Sequence, residues 1–307
     1  MIEFVLRSVE LGKSAALGMA LGLSATFRRV LVIGEFEESD LSPLISLGVW
    51  GAVVISPCAP GLRCFKDIEE AAEFSEAEGI PVGYMGDAPT PRPFRISTFN
   101  KHYLRYNRWI IKNNNFNYFD HIPLLTCIYN LIKLRDDVPI VVSDVYLPTA
   151  GEAGSDYQVL PTFHMDIDVA EVVDIYARPL PAASIAEGIL MGGYKAGPVI
   201  AITLGPAPRI AELGGYVVDL SSRGDPCELF KRRAVGYSPE LFKGVYEVEP
   251  GLCDRCGDCY RTRCPALKIG KGGVPELGAD CVGCGACALL CSRGAIRRTD
   301  DVSRVYL

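Results

Sequence analysis

Eight of the chain's twelve cysteines fall between Cys253 and Cys291, in two runs. In CDRCGDCYRTRC, Cys253, Cys256, Cys259 and Cys264 are separated by two, two and four residues; in CVGCGACALLC, Cys281, Cys284, Cys287 and Cys291 are separated by two, two and three. A structural zinc ion needs four ligands, usually from two C-x2-C knuckles. A third cysteine at each knuckle, with a fourth trailing, exceeds that need. Three thiolates at two-residue intervals instead wrap the backbone around a cluster in which each binds a different iron. The fourth ligand has to come from elsewhere, because so tight a turn cannot cap the last iron with its next residue. The pattern therefore points to iron–sulfur rather than zinc. Gly257, Gly283 and Gly285 lie between the cysteines, where tight turns and backbone N–H donors to sulfur are needed.

These 55 or so residues resemble a bacterial-type two-cluster ferredoxin, in which the fourth cysteine of each run serves the other cluster. The resemblance implies two [4Fe–4S] clusters. Cys253, Cys256, Cys259 and Cys291 would hold one, and Cys281, Cys284, Cys287 and Cys264 the other. Two departures stand out: four residues rather than three precede Cys264, and Ser292 replaces the usual proline after Cys291. Neither removes a ligand. From Pro250 onward there are nine Lys/Arg and six Asp/Glu, a formal +3 against −9 for the remainder. Eight thiolates and two oxidised cores would add about −4, leaving the loaded module near neutral. Arg255, Arg261, Arg263 and Arg293 are expected to offset cluster charge and raise the reduction potential; ordinary solvated arginine is the alternative.

The elements before this module read as alternating helices and strands. Val9–Ala25 suits a helix, Arg29–Phe36 a strand, Leu41–Leu47 a short helix. Trp50–Cys58 is apolar throughout, as a strand covered on both faces requires. Lys66–Gly79 reads as a helix stopped by glycine, and Ile80–Gly86 as a strand. Asp87–Arg95, with three prolines, marks a boundary. His121–Arg135 follows as a helix, Val138–Tyr146 as a buried strand, Pro181–Gly197 as a helix rich in small residues and Pro198–Gly205 as a strand. Pro208–Gly215, the strand YVVDL and a helix over DPCELFKRR complete a second unit. This order predicts an α/β fold with parallel sheets: one unit over 1–90, a second over 91–244, and a small α+β two-cluster domain over 245–307.

Three stretches extend the resemblance to the large (alpha) subunit of indolepyruvate ferredoxin oxidoreductase, in shortened and divergent form. They are the cysteine module; VELGKSAALGMALGLSATFRRVLVI with LSPLISLGVWGAVVISPCAP; and VPIVVSDVY with PAASIAEGILMGGYKAGPVIAIT. It implies two units like those of thiamine-diphosphate enzymes, one on the pyrimidine side and one on the diphosphate side, within the 2-oxoacid:ferredoxin oxidoreductase family. The cofactor residues depart from the pattern. Gly12 stands where a glutamate would activate the pyrimidine, although Glu10 is near. The strand PVIAIT ends in LGPAPR without an aspartate, and no asparagine follows Asn130, so Mg²⁺ loses oxygen ligands that it needs in near-ideal geometry. Thiamine diphosphate and Mg²⁺ are accordingly not expected on this chain alone.

Other clusters of chemistry-bearing residues are weaker. Asp144 ends a strand at the edge where open α/β sheets bind ligands, and reads as a loop-capping residue. His164–Asp174 gathers one histidine and several carboxylates and reads as a solvated acidic segment. Cys58 and Cys64 could form a redox pair or hold a cofactor, but read as buried or free thiols; Cys127 reads as core, and Cys227 is unassigned. Tyr103–Phe119, rich in aromatics and asparagines, suits a partner surface or a packed linker equally. Net charge −6 argues against nucleic acid, whose backbone is gripped by Lys and Arg. No apolar run approaches the roughly 20 residues of a membrane span, and the N-terminus does not read as a signal peptide. A cytoplasmic protein is expected, with its cysteines serving metal rather than disulfides.

The expected function is that of an electron-transfer subunit: two [4Fe–4S] clusters relay electrons within an oxidoreductase complex, between partner subunits and a soluble ferredoxin. One alternative is a catalytic thiamine-diphosphate-dependent 2-oxoacid oxidoreductase subunit, and another a non-redox assembly protein with structural clusters.

Overall fold

The computed structural model describes residues 1–86, 118–132, 139–144, 162–163, 180–262, 264 and 266–300. The proline-rich boundary, the aromatic–asparagine stretch up to residue 117, the acidic segment at 164–174 and Arg263 lie outside them.

Two five-stranded parallel sheets form the body. The first has the order β1 (Phe4–Arg7), β2 (Arg29–Ile33), β3 (Ala52–Ser56), β5 (Val82–Tyr84), β4 (Cys64–Phe65). The helices between these strands are α1 (Ser8–Leu11), α2 (Lys13–Ser24), α3 (Glu38–Leu47) and α4 (Ile68–Glu78). All five residues of β3 are buried, as expected of a central strand covered on both faces. α4 starts where the Asp67 carboxylate accepts from the backbone N–H groups of Glu69 and Glu70, and stops at Gly79 in the left-handed conformation, a pairing of cap and stop that fixes both ends.

The second sheet has the order β10 (Ala234–Gly236), β9 (Tyr216–Asp219), β8 (Val199–Thr203), β6 (Ile140–Ser143), β7 (Thr162–Phe163). Its helices are α5 (Tyr118–Ile132), α6 (Ala182–Met191) and α7 (Pro208–Glu212). α2 and α6 join the two sheets. A Cβ on Gly22 would lie 2.0 Å from the Ile185 carbonyl oxygen, and one on Gly188 2.3 Å from that of Met19, so only glycine allows this approach. One apolar core runs across this junction, from Leu6 and Leu17 through Ile185 and Ile189 to Val199 and Val217.

The α/β class with parallel sheets is thus present, with differences in detail. The helix expected over Val9–Ala25 is broken at Gly12, which has φ +85°. The helix expected over DPCELFKRR is a single 3-10 turn at Pro226–Glu228, where the Asp225 carboxylate accepts from Cys227 N–H. The chain leaves that turn to form β10 beside β9, and the sequence pattern signalled neither β10 nor the two-residue β4. Among the described residues, no helix is long and apolar enough to cross a membrane.

Candidate metal centre

Residues beyond 245 form two antiparallel ribbons, β11 (Tyr246–Val248) with β14 (Ile296–Arg298) and β12 (Leu267–Ile269) with β13 (Pro275–Leu277). The first cysteine run lies between β11 and β12, the second between β13 and β14. A short helix, α8 (Ala286–Leu290), begins after Gly285 in the left-handed conformation, carries Cys287 and ends at Cys291.

The ribbons bring the eight cysteines into two groups. Cys253, Cys256, Cys259 and Cys291 line one cavity together with Arg255, Tyr260 and Arg293. The Cys259 thiol is pushed up to about 11, first by burial and then by Cys256, Cys291 and Cys253. The Cys287 thiol is pushed up to about 12, again first by burial and then by Cys284, Cys281 and Cys264. The last cysteine of each run therefore faces the first three of the other.

These surroundings suit a bound cation. Burial first, and then the neighbouring sulfurs, make Cys259 and Cys287 resist ionisation, and a metal relieves both by binding the deprotonated sulfurs. Backbone donors are also in place. Ala295 N–H donates to Cys291 Sγ at 3.2 Å. The N–H groups of Asp258 and Ala286 favour the thiolates of Cys256 and Cys284. Such N–H···S bonds stabilise charge on ligating sulfur. The eight-thiol donor set and its cradle fit two iron–sulfur clusters.

The expected arginines are placed unequally. Arg255 lines the first cavity, Arg261 pairs with Asp258 at 3.4 Å, and Arg293 pairs with Asp254 at 2.8 Å. The last pair ties the first run to the end of the second. Residues 242–246, which carry no metal-binding signature, form a strap across the second group. Tyr246 Oη donates to the Phe242 carbonyl at 2.7 Å, and the segment presses on Gly283 and Gly285. Phe242 belongs to the core of the second sheet, and Asn130 of α5 donates its side-chain amide to the Leu289 carbonyl of α8. The second group is thus seated on the α/β body.

The donors for a magnesium-held diphosphate are not assembled among the described residues. β8 runs into Leu204 and Gly205. The Asp144 carboxylate accepts from the N–H groups of Ala182, at the start of α6, and Leu204; burial pushes it up to about 7 against those two hydrogen bonds. Asn130 is committed to Leu289, and Glu10 is exposed. The described residues do not assemble a fit for thiamine diphosphate.

The four remaining cysteines require a correction. Cys58 and Cys64, expected as buried or free thiols, form a disulfide with Cα atoms 5.9 Å apart. Cys127 is in the core, 1% exposed, but is bonded to Cys227, 100 residues away, with Cα atoms 4.9 Å apart. Both Cα separations lie in the ordinary disulfide range. Only the cysteines of the two runs are free thiols.

Fold and site define a class: a two-sheet parallel α/β body carrying an eight-thiol module. The chain matches no protein-family model, no curated protein and no solved structure.

Proposed function

We propose that this chain is an iron–sulfur electron-transfer subunit of a complex resembling the 2-oxoacid:ferredoxin oxidoreductases. The observation that carries this reading is the grouping of the thiols into Cys253, Cys256, Cys259 with Cys291, and Cys281, Cys284, Cys287 with Cys264. The two groups would each hold a [4Fe–4S] cluster, in the manner of a two-cluster ferredoxin domain appended to two thiamine-enzyme-like units. When bound, the clusters supply one-electron transfer. The chain's own residues hold the sulfurs, donate N–H groups to them and bury Cys259 and Cys287 away from water. Catalysis on a 2-oxoacid is assigned to partner subunits, because the described residues assemble no ligand set for thiamine diphosphate. A cytoplasmic setting and a soluble ferredoxin as electron acceptor complete the proposal.

Anaerobic purification tests it. The expected result is about eight irons and eight acid-labile sulfides per chain, with EPR signals on reduction and co-purifying oxidoreductase subunits. Bound zinc with no iron rejects the reading.

A further inference from the structure

We propose that Cys58 and Cys64 are a reversible thiol–disulfide exchange site for a dithiol, whereas Cys127 and Cys227 are a fixed staple. The inference is independent of the iron–sulfur reading and concerns the first sheet.

Cys58 follows β3, and Cys64 pairs with Gly83, which is level with Ile55 near the end of β3, so the pair sits toward the carboxyl edge of the parallel sheet, where such sheets bind ligands. Cys64 is exposed and Cys58 half-buried. Each half is anchored without the bond. β3 is completely buried and paired with both β2 and β5. β4 is held to β5 by Gly83 N–H donating to the Arg63 carbonyl and Met85 N–H to that of Phe65. Cys58 Sγ also rests against Gly83, where a Cβ would lie 2.1 Å from it. Opening the bond removes no core contact and leaves both sulfurs beside each other, so re-closure across a separation of six residues is an intramolecular step.

The other disulfide has the opposite character. Cys127 is in the core of the second sheet, and the bond closes a separation of 100 residues. Its less buried sulfur, that of Cys227, is only half-buried, whereas Cys64 is exposed, so a reductant reaches this bond less readily. Exposure decides which disulfides exchange and which remain structural.

In the exchange, one thiolate of the dithiol attacks Cys64 Sγ, the more accessible sulfur. The Cys58–Cys64 bond breaks, and Cys58 leaves as a thiolate that takes up a proton. The second thiol of the dithiol, as its thiolate, then attacks its own sulfur in the mixed disulfide, releasing Cys64, which is protonated in turn. The dithiol loses two electrons and two protons and becomes a disulfide, and the protein pair gains both.

The test uses the full, metal-loaded chain in anaerobic mixtures of reduced and oxidised dithiothreitol, with alkylation and peptide mass spectrometry. Cys58 and Cys64 are expected to convert together, to the same end point from either direction, with an unchanged circular dichroism spectrum and at least about tenfold faster than Cys127 and Cys227. In oxidised glutathione, Cys58→Ser should form a mixed disulfide at Cys64 with release of one glutathione thiol, and Cys64→Ser should trap about tenfold less at Cys58. Conversion only in denaturant, end points that depend on direction, equal rates for the two disulfides, or equal trapping in the two variants would overturn the proposal. The wild-type measurement stands even if a variant fails to fold.

Discussion

Gly257 and Gly285 occupy the same place in the two cysteine runs, directly after the second cysteine, with φ of +80° and +74°. Their surroundings differ. A Cβ on Gly257 would meet nothing within 4 Å, whereas one on Gly285 would lie 2.4 Å from Tyr246 Oη and 2.9 Å from the Phe242 carbonyl. Each group has one exposed and one buried cysteine, Cys256 and Cys259 in the first, Cys281 and Cys287 in the second. The second is covered by the 242–246 strap and packed on α5. Near-identical spacing therefore makes two sites of like exposure and unlike support, with the second seated on the α/β body. Under the proposed electron transfer, the second site, seated on the body, would be the internal end of the path and the first the external end.

Crossed ligation gives the largest expected effect and the most direct way to break the comparison. Cys291→Ser lies in the second run yet should remove the iron of the first site, and Cys264→Ser should remove that of the second. Each is expected to leave about four irons of eight. Ligand-specific EPR or Mössbauer spectra would show which site survives. If Cys291→Ser instead empties the site of Cys281, Cys284 and Cys287, the grouping fails.

The glycines come next. Gly257→Ala pays only for a left-handed backbone, about 1 kcal/mol. Gly285→Ala adds a clash with the strap and should destabilise by about 3 kcal/mol or more. Chemical denaturation of the metal-loaded variants reads the difference. Equal losses would mean that the strap does not press on the second site.

The parallel sheets and the eight clustered cysteines were legible because both are local signals. β3 is an unbroken apolar run, and a ligand spacing survives any three-dimensional context. The two disulfides were not legible. Cys127 and Cys227 meet only because α5 packs near the turn at Pro226–Glu228, and nothing local to either marks the encounter. The strap was hidden for the same reason: Phe242 and Tyr246 look like ordinary aromatics until Gly283 and Gly285 are folded against them. The small residues of α2 and α6 were visible as small, but their role in joining the two sheets depends on the crossing of two helices more than 150 residues apart.

A smaller effect is expected at Asn130, the bond from α5 to the second site. Asn130→Ala leaves the Leu289 carbonyl without this donor and should cost about 1 kcal/mol. The loss should appear as faster amide exchange in α8, with the first site unchanged. Equal loosening of both sites would remove the distinction between an anchored and a free group.

The smallest effect belongs to the first site. Asp254 and Arg293 form an exposed pair, each side chain well over a third accessible, and exposed pairs contribute little. The Arg293 hydrogen bond, with further ones from Cys256, holds the Asp254 carboxyl below its ordinary value. A depressed folded-state value stabilises the protein above the unfolded value near 3.8, and that contribution is lost as pH falls through the lower, folded one. Arg293→Gln should therefore leave stability at neutral pH almost unchanged and abolish part of the acid-side slope. Added salt should diminish what effect remains. A neutral-pH loss as large as that of Asn130→Ala would show that the first site, too, depends on a fixed anchor, and the contrast between the two groups would narrow to the strap alone.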